Sequence, residues 1–208
     1  MRKTLAFAVA ALATHSASAN IRISEWMYQG TDGEYFEIVN LGPISVDLAG
    51  WSFDDSDRVP GSMSLTDLGV LAPNQAAVVT EATAAVFRAA WGLTTANKVL
   101  GENTNNLGRS DEINIYDNTG TLVDRLTYGD QTFSGTIRTQ NKSGWNTPAG
   151  TTPWGNVTSA WKLSSVGDAQ HSWASIGGDV GSPCVFVPTP GTAVLAGLGL
   201  LAASRKRR

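Results

Sequence analysis

Cysteine is almost missing from this chain: one thiol, Cys184, stands among 208 residues. No intrachain disulfide can form, whatever the compartment, so the fold must be held by its core. Cys184 reads as a small inert residue near the end of a domain, with pairing to a second chain as the other way to use it. Histidine is nearly as scarce, and His171 is the only one after Asn20. A Ser-His-Asp hydrolase would rest on that residue alone, and no Gly-x-Ser-x-Gly elbow or His-Glu-x-x-His pair accompanies it.

Clustered positive charge is lacking from the middle of the chain. Of 15 basic residues, Arg2 and Lys3 sit at the start and Arg205, Lys206, Arg207 and Arg208 at the end, leaving 9 basic against 18 acidic residues between them, a net of -9. Nucleic acid binding needs cations grouped to displace phosphate counterions, and Arg58, Arg88 and Arg138 are isolated. Nucleic acid is therefore excluded as a partner. Long apolar runs are also missing. The longest, Ala193 to Ala203, has eleven residues, which as a helix reach about 17 Å against about 30 Å for the hydrocarbon core of a bilayer.

What is present at the N-terminus has the layout of a secretory signal peptide. Two cations open it, Leu5 to Ala13 is mostly apolar, and Ala17-Ser18-Ala19 is a small-x-small cleavage site before Asn20. The expected organisation is a signal peptide over 1–19, one β-sandwich domain over 20–183 and a tail segment over 184–208. The secretion machinery is the implied partner, and the mature chain is expected to begin at Asn20.

Between the two ends the pattern is that of short strands. Ile21, Ile23 and Trp26 open one, and Tyr35-Phe36-Glu37-Ile38-Val39 is a run of β-formers closed by the turn sequence Asn40-Leu41-Gly42-Pro43. Others are placed near Ile44 to Leu48, Trp51 to Phe53, Ala76 to Thr80, Glu112 to Tyr116 and Leu122 to Tyr128, with Asn118-Thr119-Gly120 turning the last two into a hairpin. The fold class expected is all-β, a sandwich or barrel. One helix interrupts it, capped by Thr80, with Glu81 in its first turn, Val86, Phe87, Ala90 and Trp91 on one face and Gly92 at its end. It is expected to cross one end of the sandwich.

Three constellations could carry chemistry. Asp54-Asp55-Ser56-Asp57 gathers carboxylates as a calcium loop would, without the alternating ligands, central Gly and closing Glu of an EF-hand. Asp54, Asp55 and Asp57 are the candidate calcium ligands, and Ca2+ the one cofactor considered; an acidic surface turn is the competing reading. Glu25 and Glu37 could be proposed as a glycosidase pair, against which stands the frequency of acids on exposed strand faces. Trp145, Trp154, Trp161 and Trp173 could stack on extracellular polysaccharide or simply cover the sandwich.

Taken in order, Ile23-Ser24-Glu25-Trp26-Met27-Tyr28, Gly33 to Asn40, Asp47-Leu48-Ala49-Gly50-Trp51 and Ser110 to Asp117 resemble the lamin-tail domain across Asn20 to about Asp130. That resemblance implies an immunoglobulin-like β-sandwich, a binding or scaffolding module with no catalytic residues. The tail is similar to a second family signal. Val187-Pro188-Thr189-Pro190, a short apolar helix and the cations Arg205, Lys206, Arg207 and Arg208 resemble the PEP-CTERM sorting signal of exported proteins in Gram-negative bacteria. The resemblance implies an exosortase-like protease as partner, membrane contact through the C-terminal helix before processing, and a surface or extracellular destination. Thr189 stands where that motif carries glutamate, and an uncleaved weak anchor is the alternative. The function expected is that of a secreted, non-enzymatic structural or adhesive protein of the cell envelope or extracellular matrix, with a calcium- or polysaccharide-binding module as the alternative.

Overall fold

Every residue of Tyr35–Asn40 is buried, although its side chains alternate between two faces. A strand buried on both sides must have a layer above and a layer below it, and this is the arrangement in the computed structural model, which describes residues 20–133, 136–147, 155–156 and 161–188. The strands in chain order are β1 (Ile21–Met27), β2 (Tyr35–Asn40), β3 (Val46–Asp47), β4 (Ser52–Asp54), β5 (Met63–Ser64), β6 (Val70–Leu71), β7 (Ala76–Thr80), β8 (Lys98–Leu100), β9 (Ser110–Tyr116), β10 (Leu122–Gly129), β11 (Gly144–Trp145), β12 (Gly155–Asn156), β13 (Lys162–Leu163), β14 (Trp173–Ala174) and β15 (Val180–Gly181), with the helix α1 (Ala84–Trp91) between β7 and β8.

A six-stranded sheet runs in the order β13-β11-β1-β2-β7-β8 and a five-stranded sheet in the order β12-β10-β9-β4-β5. Their facing sides close on one core: Ile21, Ile23, Trp26, Phe36, Ile38, Ala77 and Val79 from the first meet Phe53, Ile113, Ile115, Leu126 and Tyr128 from the second. Aromatic pairs span the gap, Phe36 with Phe53 at 4.5 Å and Trp26 with Tyr128 at 5.3 Å between ring centroids. Each such pair adds about 0.5–1.5 kcal/mol beyond the area it buries. The β9–β10 hairpin turns where Asn118-Thr119-Gly120 predicts, with the Asp117 carboxylate accepting the amides of Thr119 and Thr121.

The spacing Ile21, Ile23, Trp26 breaks period two for a physical reason. The β1–β2 register slips between Ile23 and Glu25, so Ser24 is an extra residue in β1. This bulge moves Trp26 onto the core side and Glu25 onto the other.

That other side is covered by a third layer. Tyr35, Val78, Met27, Phe87, Trp91 and Val99 form a second apolar cluster, against which Trp173 and Cys184 pack. Helix α1 therefore lies on the outer face of the six-stranded sheet rather than across an end of the sandwich. Its cap also differs from the sequence expectation. Thr83 receives the Val86 amide at 3.3 Å, while Thr80 belongs to β7 and gives its hydroxyl to the Glu34 carbonyl. Val86 is exposed, and only Phe87, Ala90 and Trp91 of the expected stripe face the sheet. Gly92 ends the helix in the left-handed conformation, as expected. Arg88 leaves the helix to donate to the carbonyls of Asn97 and Val99, along β8.

Two expected strands differ in extent: Ile44 to Leu48 contracts to the two-residue β3, and Trp51 to Phe53 shifts by one to β4. Among the described residues no helix is long and apolar enough to cross a membrane.

Candidate functional site

The bulge at Ser24 sets Glu25 opposite Glu37 on the outer face of β1 and β2, and both are 1 % exposed. The expectation that these acids lie on an exposed strand face is thus corrected, because the third layer seals them. Glu25 Oε1 accepts from the Tyr35 hydroxyl at 2.6 Å, from Ser143 Oγ and from the Ser182 amide at 2.8 Å, and Oε2 accepts from Ser182 Oγ at 2.8 Å. Ser143 Oγ in turn meets Ser164 Oγ. Glu37 is less well served. Ser24 Oγ reaches its Oε1 at 2.6 Å, and the amides of Cys184 and Val185 lie near enough to favour its charged form, yet Oε2 completes no hydrogen bond of normal geometry among the described residues.

Burial pushes both carboxyls above the ordinary range, and for Glu37 the neighbouring Glu25 adds to the shift. Four donors converge on Glu25 and few on Glu37, so Glu25 is the member that holds charge and Glu37 the one that holds a proton. Gly181 is what lets the cover close. A Cβ there would overlap the Tyr35 hydroxyl and lie 2.8 Å from Glu25 Oε1. A glycosidase needs its two carboxyls open to a sugar ring; here serine hydroxyls and backbone fill that space.

The Asp-rich turn serves the fold in a different way. Asp54 is buried, and its carboxylate accepts from the Val59 amide and from Asn105 Nδ2. Asp55 accepts the Asp57 amide, while Asp57 is exposed. The three carboxylates are not brought together, and among the described residues no group of three or more His, Cys, Asp or Glu side chains gathers where a metal ion could sit. The turn instead folds the chain from Asp55 to Gly61 over the five-stranded sheet. There the Arg58 guanidinium grips Glu112 through two bonds of 2.7 Å, and these bonds hold the Glu112 carboxyl down at about 2.

The tryptophans are largely spent on packing. Trp161 stands edge-on to Trp26 at 4.9 Å in the core, Trp145 gives its indole N–H to Asp168, and Trp173 gives its own to the Trp91 carbonyl. Trp154 lies outside the described residues. His171 is exposed in a turn whose Asp168 carboxylate is already committed to Trp145, Ser165, Gln170 and Ser172. Cys184 is half-buried, its thiol donating to the Lys98 carbonyl, and burial raises its pKa; thiolate chemistry at neutral pH is disfavoured.

Cavities open to solvent lie among the described residues. One of about 260 Å³ lies over the five-stranded sheet, between Arg58, Ser110, Asp111, Tyr128 and Phe133. Another of about 200 Å³ lies beside β8, but Arg88 and Lys98 in its wall already serve backbone carbonyls.

Strands β1 to β10, which supply most of the two-sheet core, and the Glu25–Glu37 strand pair lie in the part of the chain matched by the family model for the Lamin Tail Domain, residues 14–130. The chain belongs to the lamin tail domain family. No curated protein matches it. In this lamin-tail chain the family region ends with β10, whereas Ser143, Ser164 and Ser182, which complete the acidic pair, come from beyond it. Sequence reasoning missed those serines. No local signal marks them, because Ser143 and Ser182 lie 118 and 157 residues from Glu25, and Ser164 joins only through Ser143.

Asn20, at the expected cleavage point, is the first described residue, and its carbonyl receives the Leu41 amide at 2.8 Å. Val187 is held by the Gln170 side-chain amide through bonds of 2.8 and 3.0 Å, and Pro188 is exposed. Ala17, Ala19, Thr189, Pro190 and the cations Arg205, Lys206, Arg207 and Arg208 lie outside the described residues.

Proposed function

We propose that this chain is an exported, non-enzymatic surface module, a lamin-tail sandwich that is carried to the cell envelope and freed or transferred there by cutting its tail. The observation that carries the reading is where, among the described residues, the seal over the acidic pair is completed. Gln170 holds Val187 from both sides, and every donor to the Glu25–Glu37 pair among the described residues comes from residues up to 185. These contacts all precede Thr189, so a cut between Val187 and Pro190 would leave them in place. The structural or adhesive role is supported by the use of the candidate catalytic pair, the Asp turn and the tryptophans as framework.

The test is the intact mass of the protein recovered from native cell envelope and medium. The expected species begins at Asn20 and ends between Val187 and Pro190. A species that keeps Met1 and Arg208 would overturn both export and processing; one that starts at Asn20 but keeps Arg208 in the membrane fraction would replace sorting with a plain anchor.

A further inference from the structure

We propose that the groove over the five-stranded sheet, between the Asp55–Gly61 loop and the turn after β10, binds a neutral hydroxylated ring, that is, a sugar without acidic groups. The inference does not depend on export.

Two residues that line the groove carry a buried hydroxyl without a hydrogen-bond partner among the described residues. Tyr128 is 2 % exposed, its ring is packed on Trp26, and its hydroxyl has no hydrogen-bond partner among the described residues. Ser110 Oγ, one residue along on the partner strand, is likewise buried without a partner. An unsatisfied buried hydroxyl costs about 1–3 kcal/mol, and both of these line the same cavity. A ligand hydroxyl both donates and accepts, so it can satisfy a phenol and a serine that a purely apolar or purely cationic ligand could not.

The surroundings fix the class further. Arg58 is immobilised by its two bonds to Glu112 while half of its side chain remains exposed, so it presents donors at the rim in a set direction. Asp111 receives one amide on each oxygen, from Glu112 and Gly108, and keeps acceptor capacity on both. Phe133 supplies a half-buried apolar wall. One cation against the two carboxylates Asp111 and Glu112 disfavours phosphate, sulfate and uronic acids. A volume of about 260 Å³ falls just under the range of about 300–1,000 Å³ usual for ligand pockets, which suits a single ring.

The experiment is a titration of the full chain, followed by amide chemical shifts, with N-acetylglucosamine, glucose and, as the acidic control, glucuronate, each to about 50 mM, a range that detects millimolar affinity. A neutral sugar is expected to give saturable shifts centred on Ser110, Asp111, Tyr128 and Phe133. Tyr128→Phe keeps the core ring and removes only the hydroxyl; it is expected to weaken binding about tenfold without lowering Tm, and Phe133→Ala to weaken it similarly. The proposal is overturned if neither neutral sugar gives saturable shifts at these residues, if glucuronate binds as well as they do, or if Tyr128→Phe binds like the wild type.

Discussion

Glu25 and Glu37 face each other across β1 and β2, both 1 % exposed, and they are unequal: four hydrogen-bond donors converge on the first, while one oxygen of the second has no normal hydrogen bond among the described residues. The two positions should therefore respond to mutation with opposite sign. Glu37→Gln keeps the shape and removes a carboxyl that burial beside Glu25 forces to take up a proton on folding, so Tm at pH 7 should rise, each pKa unit of that penalty being worth about 1.4 kcal/mol and each kcal/mol about 2–4 °C. Glu25→Ala leaves the donors from Tyr35, Ser143 and Ser182 without an acceptor and should lower stability by about 3–5 kcal/mol. Thermal unfolding of the two variants decides it; a loss of similar size in both would mean the pair is not divided as described.

Glu34 adds a pH dependence with a definite direction. Burial, with help from Glu81 and Asp111, raises its carboxyl to about 8 against bonds from the Leu107 amide. A carboxyl whose folded pKa lies above its unfolded value of about 4.3 binds more protons folded than unfolded. Stability then falls as pH rises from about 4.3 to about 8, and Glu37 acts in the same direction. Tm should be highest in mildly acidic solution and decline toward pH 8, and Glu34→Gln should flatten that decline. A wild-type Tm that rises steadily from pH 5 to pH 8 would contradict this.

The acid limb belongs to Glu112. Its carboxyl is held at about 2 by Arg58, with Asn114 and Thr127 assisting. The sign is reversed here: a depressed pKa stabilises above the unfolded value and is lost as pH falls through about 4 toward 2. Arg58→Leu should move the midpoint of acid unfolding upward toward pH 4, read by circular dichroism. An unmoved midpoint would show that the loop from Asp55 to Gly61 does not depend on this ion pair.

Much of the framework was legible in the sequence. Ala76–Thr80 and the β9–β10 hairpin follow from β-formers bounded by turn residues, and Phe87, Trp91 and Gly92 mark the helix and its end. The remainder was hidden by distance along the chain. Thr80 and Thr83 are equivalent as caps until β7 is seen to claim Thr80 through Glu34. Glu25 and Glu37 look like surface acids because nothing near them signals that Ser143, Ser182, Cys184 and Val185 will close over them. Asp54 looks like a metal ligand because its backbone donors are only fixed once the turn has closed.

The family region alone should not be a stable unit. A chain of residues 20–130 lacks Ser143, Ser182 and Trp161, and so exposes the acidic pair and one side of Trp26, whereas residues 20–188 retain every contact to them. Circular dichroism and amide shift dispersion should show the longer chain folded and the shorter one largely not. Gly181→Ala in the full chain should weaken the same seal, because its methyl group overlaps the Tyr35 hydroxyl. A cooperative unfolding transition in 20–130 equal to that of 20–188 would sink this idea.

Arg88 along β8 bears on how many copies of this protein could coexist at one surface. A strand at a sheet edge is ordinarily a template for a strand from a neighbour, but here the carbonyls of Asn97 and Val99 already hold a guanidinium, and at the opposite edge β13 is two residues long and carries Lys162. Neighbouring molecules would therefore not extend the six-stranded sheet by adding strands at its edges, and contacts made from that sheet would run through side chains and loops, which can be reversed.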